Sequence, residues 1–145
     1  QYPDIRLILV GDGNQHDNLV ERTKTYNLQN YVSFPGLVNN VEDYLAVADV
    51  YIQSSHTEGL PLSVIEAMAA SLPIISTDVG GMPDIIRDNG ILIGDNSIDE
   101  LQIAMKKILC ESVTRKSMEQ KSKELAETYS SNSMANLYGC LYDCE

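Results

Sequence analysis

The sequence predicts an α/β fold, a doubly wound parallel sheet of about five strands with flanking helices. Three observations predict it. Short apolar runs alternate with stretches of helical periodicity along the chain. Strands separated by single helices form βαβ units, which force parallel pairing and right-handed crossovers. The strands are apolar almost throughout, as strands covered on both faces are.

The elements follow in order. Residues 5–10 (IRLILV) read as a strand ending in Gly-Asp-Gly. Residues 18–26 read as a helix, with Asp17 as N-cap before Leu19, Val20, Thr23 and Tyr26. Residues 31–34 form a second strand, stopped by Pro35 and Gly36. Asn40 caps a helix carrying Val41, Tyr44, Leu45 and Ala48, and residues 50–54 form a third strand. Residues 62–70 are a helix with Pro61 near its first turn, a position proline favours. Residues 73–77 are the fourth strand, a short helical turn follows Pro83, and residues 91–93 are the fifth strand. Ser97-Ile98-Asp99-Glu100 is a capping box. It opens a helix with Ile98, Leu101, Met105, Ile108 and Leu109 on one stripe, and one or two more helices fill residues 112–144.

The chain has 145 residues, the size of one domain, and it is 43% hydrophobic and 21% charged, which is globular. No apolar run approaches the ~18 residues of a membrane span, and no basic, apolar leader opens the chain. Residue 1 is Gln, which points to processing or to a fragment. The formal net charge is −11. Residues 1–99 hold four bases, Arg6, Arg22, Lys24 and Arg87, against 14 acids. Such a surface repels nucleic acid and anionic lipid, so both are excluded as primary partners. An anionic ligand must then be held by backbone dipoles or by cations from outside this chain. Cys110, Cys140 and Cys144 are an odd, late set that forms no disulfide framework. They read as reduced, buried thiols in a cytoplasmic protein.

In an open parallel sheet the ligand sits beyond the carboxyl ends of the strands. The loops to inspect are therefore 11–14, 36–40, 54–61 and 78–83. Gly11 and Gly13 follow a strand, but His16 stands where a dinucleotide fingerprint needs its third glycine. A tight turn and a ligand-facing loop both fit. The segment EGLPLSVIE over 58–66 is more informative. Gly59 frees the loop, and Pro61 starts a helix whose free N–H groups near Leu62, Ser63 and Val64 face an anion. This holds a phosphate with few cations nearby. Glu58 in the loop and Glu66 two turns on suit hydrogen bonds from vicinal hydroxyls of a sugar or ribose. The apolar flanks Val64, Ile65, Met68 and Ala69 make Glu66 near-buried and in need of partners. The alternative is a solvated pair. Gly80 and Gly81 belong to a second glycine loop, expected beside the first. His16 and His56 lie 40 residues apart without a ligand pattern, so no metal site is expected. His56 is polar surface or pocket lining, and Asp4, Asp12, Asp95 and Asp143 are turn or surface acids.

These residues carry a resemblance. SSHTEGLPLSVIEAMAA over 54–70 resembles the E-x7-E signature of retaining, GT-B-type glycosyltransferases of the group 1, or GT4, family. LVGDG over 9–13, VSFPG over 32–36, LPIISTDVGGMPD over 72–84 and NGILI over 89–93 are similar to that family's neighbouring blocks. The resemblance covers residues 3–110 densely. It implies the Rossmann-like, donor-nucleotide-binding C-terminal lobe, with Glu58 on the donor sugar as the catalytic carboxylate and Glu66 on the ribose. Gly59, Leu60, Pro61, Leu62 and Ser63 fall on the diphosphate, Leu37 and Val38 beside the base, and Gly11 and Gly13 in the first loop. It implies transfer of a sugar with retention from a nucleotide diphosphate sugar, UDP or GDP type, without metal or cofactor. The setting would be glycan or polysaccharide synthesis.

Departures qualify the match. A first βα unit with its Arg and Lys, and the acceptor-binding N-terminal lobe, have no counterpart here, and Asp84 stands where Glu is commoner. The missing lobe would be a partner and would make any membrane contact at the inner face. Residues 5–10 would then take the second strand position and 50–54 the fourth, with the slot between them unfilled, and 5–10 should pair with 31–34. The chain alone is expected to be inactive, and unstable outside its parent. Two other readings share much of this pattern: a nucleotide-sugar epimerase of the same architecture, and a non-catalytic nucleotide-sugar binding module.

Overall fold

A computed structural model describes residues 5–59, 61–130 and Ser133. Among the described residues five strands and six helices follow one another: β1 (Leu7–Val10), α1 (His16–Thr25), β2 (Val32–Gly36), α2 (Val41–Val47), β3 (Tyr51–Gln53), α3 (Leu62–Ala69), β4 (Ile74–Thr77), α4 (Met82–Ile85), β5 (Gly90–Ile93), α5 (Ile98–Cys110) and α6 (Ser112–Thr128). All pairing is parallel, in two separate ladders, β1-β2 and β3-β4-β5. The α/β class stands. The chain divides into two units, Gln1–Val41 and Glu42–Glu145.

In the first unit, β1 pairs with β2 as expected, Leu7 opposite Val32 and Ile8 opposite Ser33, with a register shift before Val10 meets Gly36. No described residue of this unit is buried. Leu7, Ile8 and Val10 of β1 are each about two-fifths exposed, so the expectation of strands covered on both faces is wrong here. Two strands and one helix enclose too little apolar surface to bury a strand. The helix begins earlier than expected, at His16 after Gln15, so Asp17 is a first-turn acid and not the N-cap. There it still favours the positive end of the helix dipole.

The second unit is doubly wound. Alternation along β4 sends Ile74 to one face and Ile75 to the other. Ile74 meets Val64, Ala67 and Met68 of α3 and Met82 and Ile85 of α4. Ile75 meets Ile93, Ala104 and Ile108 of β5 and α5, with Met118 of α6. Every residue of β4 is buried, as the apolar-strand argument requires. Ser122 is fully buried on α6, and its hydroxyl donates to the Leu72 carbonyl at 2.6 Å, tying α6 to the entry of β4.

Several local expectations are corrected. The capping box is half formed: Ser97 Oγ accepts from the Glu100 N–H, but the Glu100 carboxylate turns to the Gly94 N–H at 2.8 Å. Ile98 lies off the buried stripe of α5 and is 81% exposed, because Ala104 and Ile108 define the packed side. Cys110 is exposed, not buried, since it closes α5 at the surface. Cys140, Cys144, Asp4 and Asp143 lie outside the described residues. Among the described residues, no helix is long and apolar enough to cross a membrane.

Candidate functional site

Parallel pairing of β3, β4 and β5 brings their carboxyl-end loops to one edge of the second unit. The loop after β3 carries Glu58 and is held from three directions. From β4, the buried Thr77 hydroxyl donates to the Ser55 carbonyl at 2.5 Å. From the loop after β4, Gly80 and Gly81 press against it. A Cβ on Gly81 would stand 2.8 Å from the Gly59 carbonyl oxygen, and one on Gly80 would overlap the Glu58 carbonyl. Gly80 also sits at φ +55°, where side chains are strained. The two glycine segments are therefore neighbours, as expected. From the loop after β5, Asp95 Oδ1 lies 2.6 Å from His56 Nδ1. His56 is thus tied across 39 residues, and Asp95, at the surface as expected, has a specific partner.

Inside this frame a polar chain runs up from β3. The Tyr51 hydroxyl donates to Gln53 Oε1 at 2.8 Å. Gln53 Nε2 donates to Glu58 Oε1 and to Ser55 Oγ, each at 2.7 Å. Tyr51 also hydrogen-bonds Ser63 on α3 and lies in the field of both Glu58 and Glu66. Burial, first, and then those two carboxylates raise the Tyr51 phenol above its ordinary 10.0, against the opposing Ser63 bond. The start of α3 lies between the two glutamates in sequence.

Glu58 is half-buried. Glu66 is exposed, which corrects the near-buried expectation. At ~100° per residue Glu66 lies about 200° around the helix from Val64, opposite the arc formed by Val64, Ala67 and Met68. Val64 and Met68 pack inward, Ile65 is half-buried and Ala69 exposed, so the apolar flanks leave Glu66 open. Pro61 occupies the N-cap with extended backbone, and the Val64 N–H is already bonded to the Pro61 carbonyl at 3.1 Å, so it is not free as expected. The Leu62 and Ser63 N–H groups take no hydrogen bond among the described residues. The Leu62 side chain is 72% exposed beside them, and Leu60 lies outside the described residues.

Gly11, Gly13, Leu37 and Val38 belong to the first unit. The Gly11 N–H donates to the Gly36 carbonyl at 2.9 Å, joining the two strand-end loops. Leu37 beyond it is 80% exposed. His16 sits edge-on to Phe34, ring centres 5.7 Å apart. No group of three or more metal-ligating side chains occurs among the described residues.

Tyr51 and Gln53 were missed by sequence reasoning. The available signal was a polar amide at the end of an apolar strand, two residues from a tyrosine and so on the same face. A half-buried amide there needs partners, and Glu58 is one.

The model of one protein family, described as glycosyl transferases group 1, matches residues 1–125. A glycosyltransferase of Haemophilus influenzae, described as uncharacterized, is 33% identical over 132 residues, covering 89% of this chain and 37% of that protein. The N-acetyl-alpha-D-glucosaminyl L-malate synthase of Bacillus anthracis is 32% identical over 143 residues, covering 96% and 37%. Among solved structures, Anabaena HepE in complex with UDP-glucose superposes with a TM-score of 0.81 at 22% identity, covering 87% and 37%; this likeness speaks to the fold. The chain spans little more than a third of the length of each.

Proposed function

Because the chain belongs to the glycosyl transferases group 1 family, we propose that it is the donor-binding part of a retaining glycosyltransferase acting on a nucleotide diphosphate sugar. The observation that carries this reading is that Glu58, held by Gln53 in the loop after β3, and Glu66 on α3 stand on either side of the opening turn of α3 in sequence. A nucleotide diphosphate sugar needs three things of a protein. Its diphosphate needs N–H donors, which the Leu62 and Ser63 backbone supplies at the positive end of α3. Its ribose needs an acceptor for vicinal hydroxyls, the role of Glu66. Its sugar needs an acceptor near the reacting carbon, the role of Glu58. Backbone donors suit a chain whose net charge is −11, since lysine and arginine are scarce. No metal or cofactor takes part in this reading. The acceptor is held by parts of the protein beyond these residues, in keeping with relatives nearly three times as long.

Calorimetry with UDP and UDP-glucose tests the assignment. Glu66→Ala should weaken both ligands, since a charge-assisted hydrogen bond is worth about 1.5–3 kcal/mol, towards the lower end at this exposed position. Glu58→Ala should weaken UDP-glucose more than UDP. Unchanged affinity in Glu66→Ala returns that residue to a solvated surface role.

A further inference from the structure

The family assignment leaves unexplained how a flexible glutamate in a loop is held in one orientation. We propose that Gln53 is a positioning residue that fixes the Glu58 carboxylate for the donor sugar, with Tyr51 fixing Gln53 in turn. The inference rests on the assignment of Glu58 to the sugar. An ionised carboxylate only accepts, so the face of the Gln53 amide 2.7 Å from Glu58 Oε1 must be its NH2 group. The same nitrogen meets Ser55 Oγ at 2.7 Å, which occupies its second proton. The amide oxygen is then left for the Tyr51 hydroxyl at 2.8 Å. All three polar functions of Gln53 are satisfied, and no flipped amide satisfies the same set, because its oxygen would face Glu58 Oε1.

The arrangement has a direction. Tyr51 and Gln53 stand on one face of β3, a strand whose register against β4 is set by Tyr51 opposite Ile74 and Gln53 opposite Ser76. Rigid sheet geometry is thereby passed through two hydrogen bonds to a side chain in a loop. One Glu58 oxygen is held by Gln53; no protein donor to the other is present among the described residues. That oxygen is the one a sugar hydroxyl would reach. The Gln53 donor orients the Glu58 carboxylate by a hydrogen bond and not through a cation. This matters in a region where bases are few.

The full chain serves for the test, with UDP and UDP-glucose as probes, thermal melts to verify folding, and nuclear magnetic resonance without ligand. Gln53→Leu should leave UDP affinity within about twofold and lower the UDP-glucose to UDP affinity ratio about tenfold. Gln53→Glu, which sets a second carboxylate against Glu58, should do the same at neutral pH. Tyr51→Phe should give a smaller loss. In the Glu58→Ala background Gln53→Leu should have no further effect on the ratio. The Gln53 side-chain amide protons should shift in Glu58→Ala while other glutamine amides stay put. If Glu58→Ala lowers the ratio but both Gln53 variants keep the wild-type value, the positioning role is overturned and Glu58 keeps its own. If Glu58→Ala leaves the ratio unmoved, the sugar assignment fails and the positioning role fails with it. Gln53 amide protons indifferent to Glu58→Ala overturn the hydrogen bond itself.

Discussion

Replacing the two glycines that press on the Glu58 loop separates two physical costs. Gly81 has φ −83°, which any residue tolerates, so Gly81→Ala pays only for space. Its Cβ would lie 2.8 Å from the Gly59 carbonyl oxygen, where ordinary contact begins at 3.4 Å, so the loop must retreat by about half an ångström. The atom met is a backbone carbonyl, which must move with its peptide, so the cost falls in the overpacking range of about 1–3 kcal/mol. Gly80→Ala carries both costs. Its φ of +55° adds ~1–2 kcal/mol, and its Cβ would overlap the Glu58 carbonyl, with the carbonyl carbon only 2.9 Å away. Relief requires moving the Glu58 peptide, so a total of about 2–5 kcal/mol is expected. Ser71→Gly calibrates the backbone term within the same unit. Ser71 sits at φ +62°, and glycine there should gain about 1 kcal/mol. Urea melts followed by circular dichroism give the three differences. Calorimetry with UDP and UDP-glucose reads the loop, and Gly80→Ala should lower the UDP-glucose to UDP affinity ratio. A Gly80→Ala chain within about 0.5 kcal/mol of wild type, with that ratio unchanged, would refute the tight seating of the loop.

Other outcomes follow from the same structure. Amide exchange should be at least about tenfold faster in β1 and β2 than in β4, because no described residue of the first unit is buried while all of β4 is; equal protection would contradict the division into units. The Tyr51 phenol titrates above its unfolded value of 10.0, through burial first. Its contribution is therefore fully present below about pH 10 and is lost as pH rises towards the folded value. Tyr51→Phe should flatten the alkaline fall in stability, measured by melts between pH 9 and 11 on the order of one unit around that value; an unchanged slope would remove Tyr51 from it. The purified 145-residue chain should show no sugar transfer, because the reaction needs donor and acceptor held together. Measurable turnover would place acceptor contacts within this chain.

Much was legible in the sequence because its signals are local. The change of period between apolar runs and helical stripes identified the strands and helices of the second unit. Glycine and proline marked the loops at their carboxyl ends. The spacing of Glu58 and Glu66 around Pro61 placed the candidate site at the start of α3. The pairing of β1 with β2 was expected, and the ladder bears it out. What the sequence left undecided depended on neighbours distant along the chain or on which way a side chain turns. Apolar composition made β1 look covered on both faces, yet burial requires opposing layers, and the first unit has one helix for two strands. Apolar neighbours made Glu66 look buried, yet its own angular position on α3 turned it outward. The joining of His56 to Asp95, and of Thr77 to the Ser55 carbonyl, follows from strand order, which brings residues 39 and 22 positions apart to one edge. Gln53 is only five residues from Glu58, but the loop must fold back under Gly80 and Gly81 before they meet. Periodicity is a property of a segment; a hydrogen bond between loops is a property of the packed sheet, and only the tertiary structure supplies it.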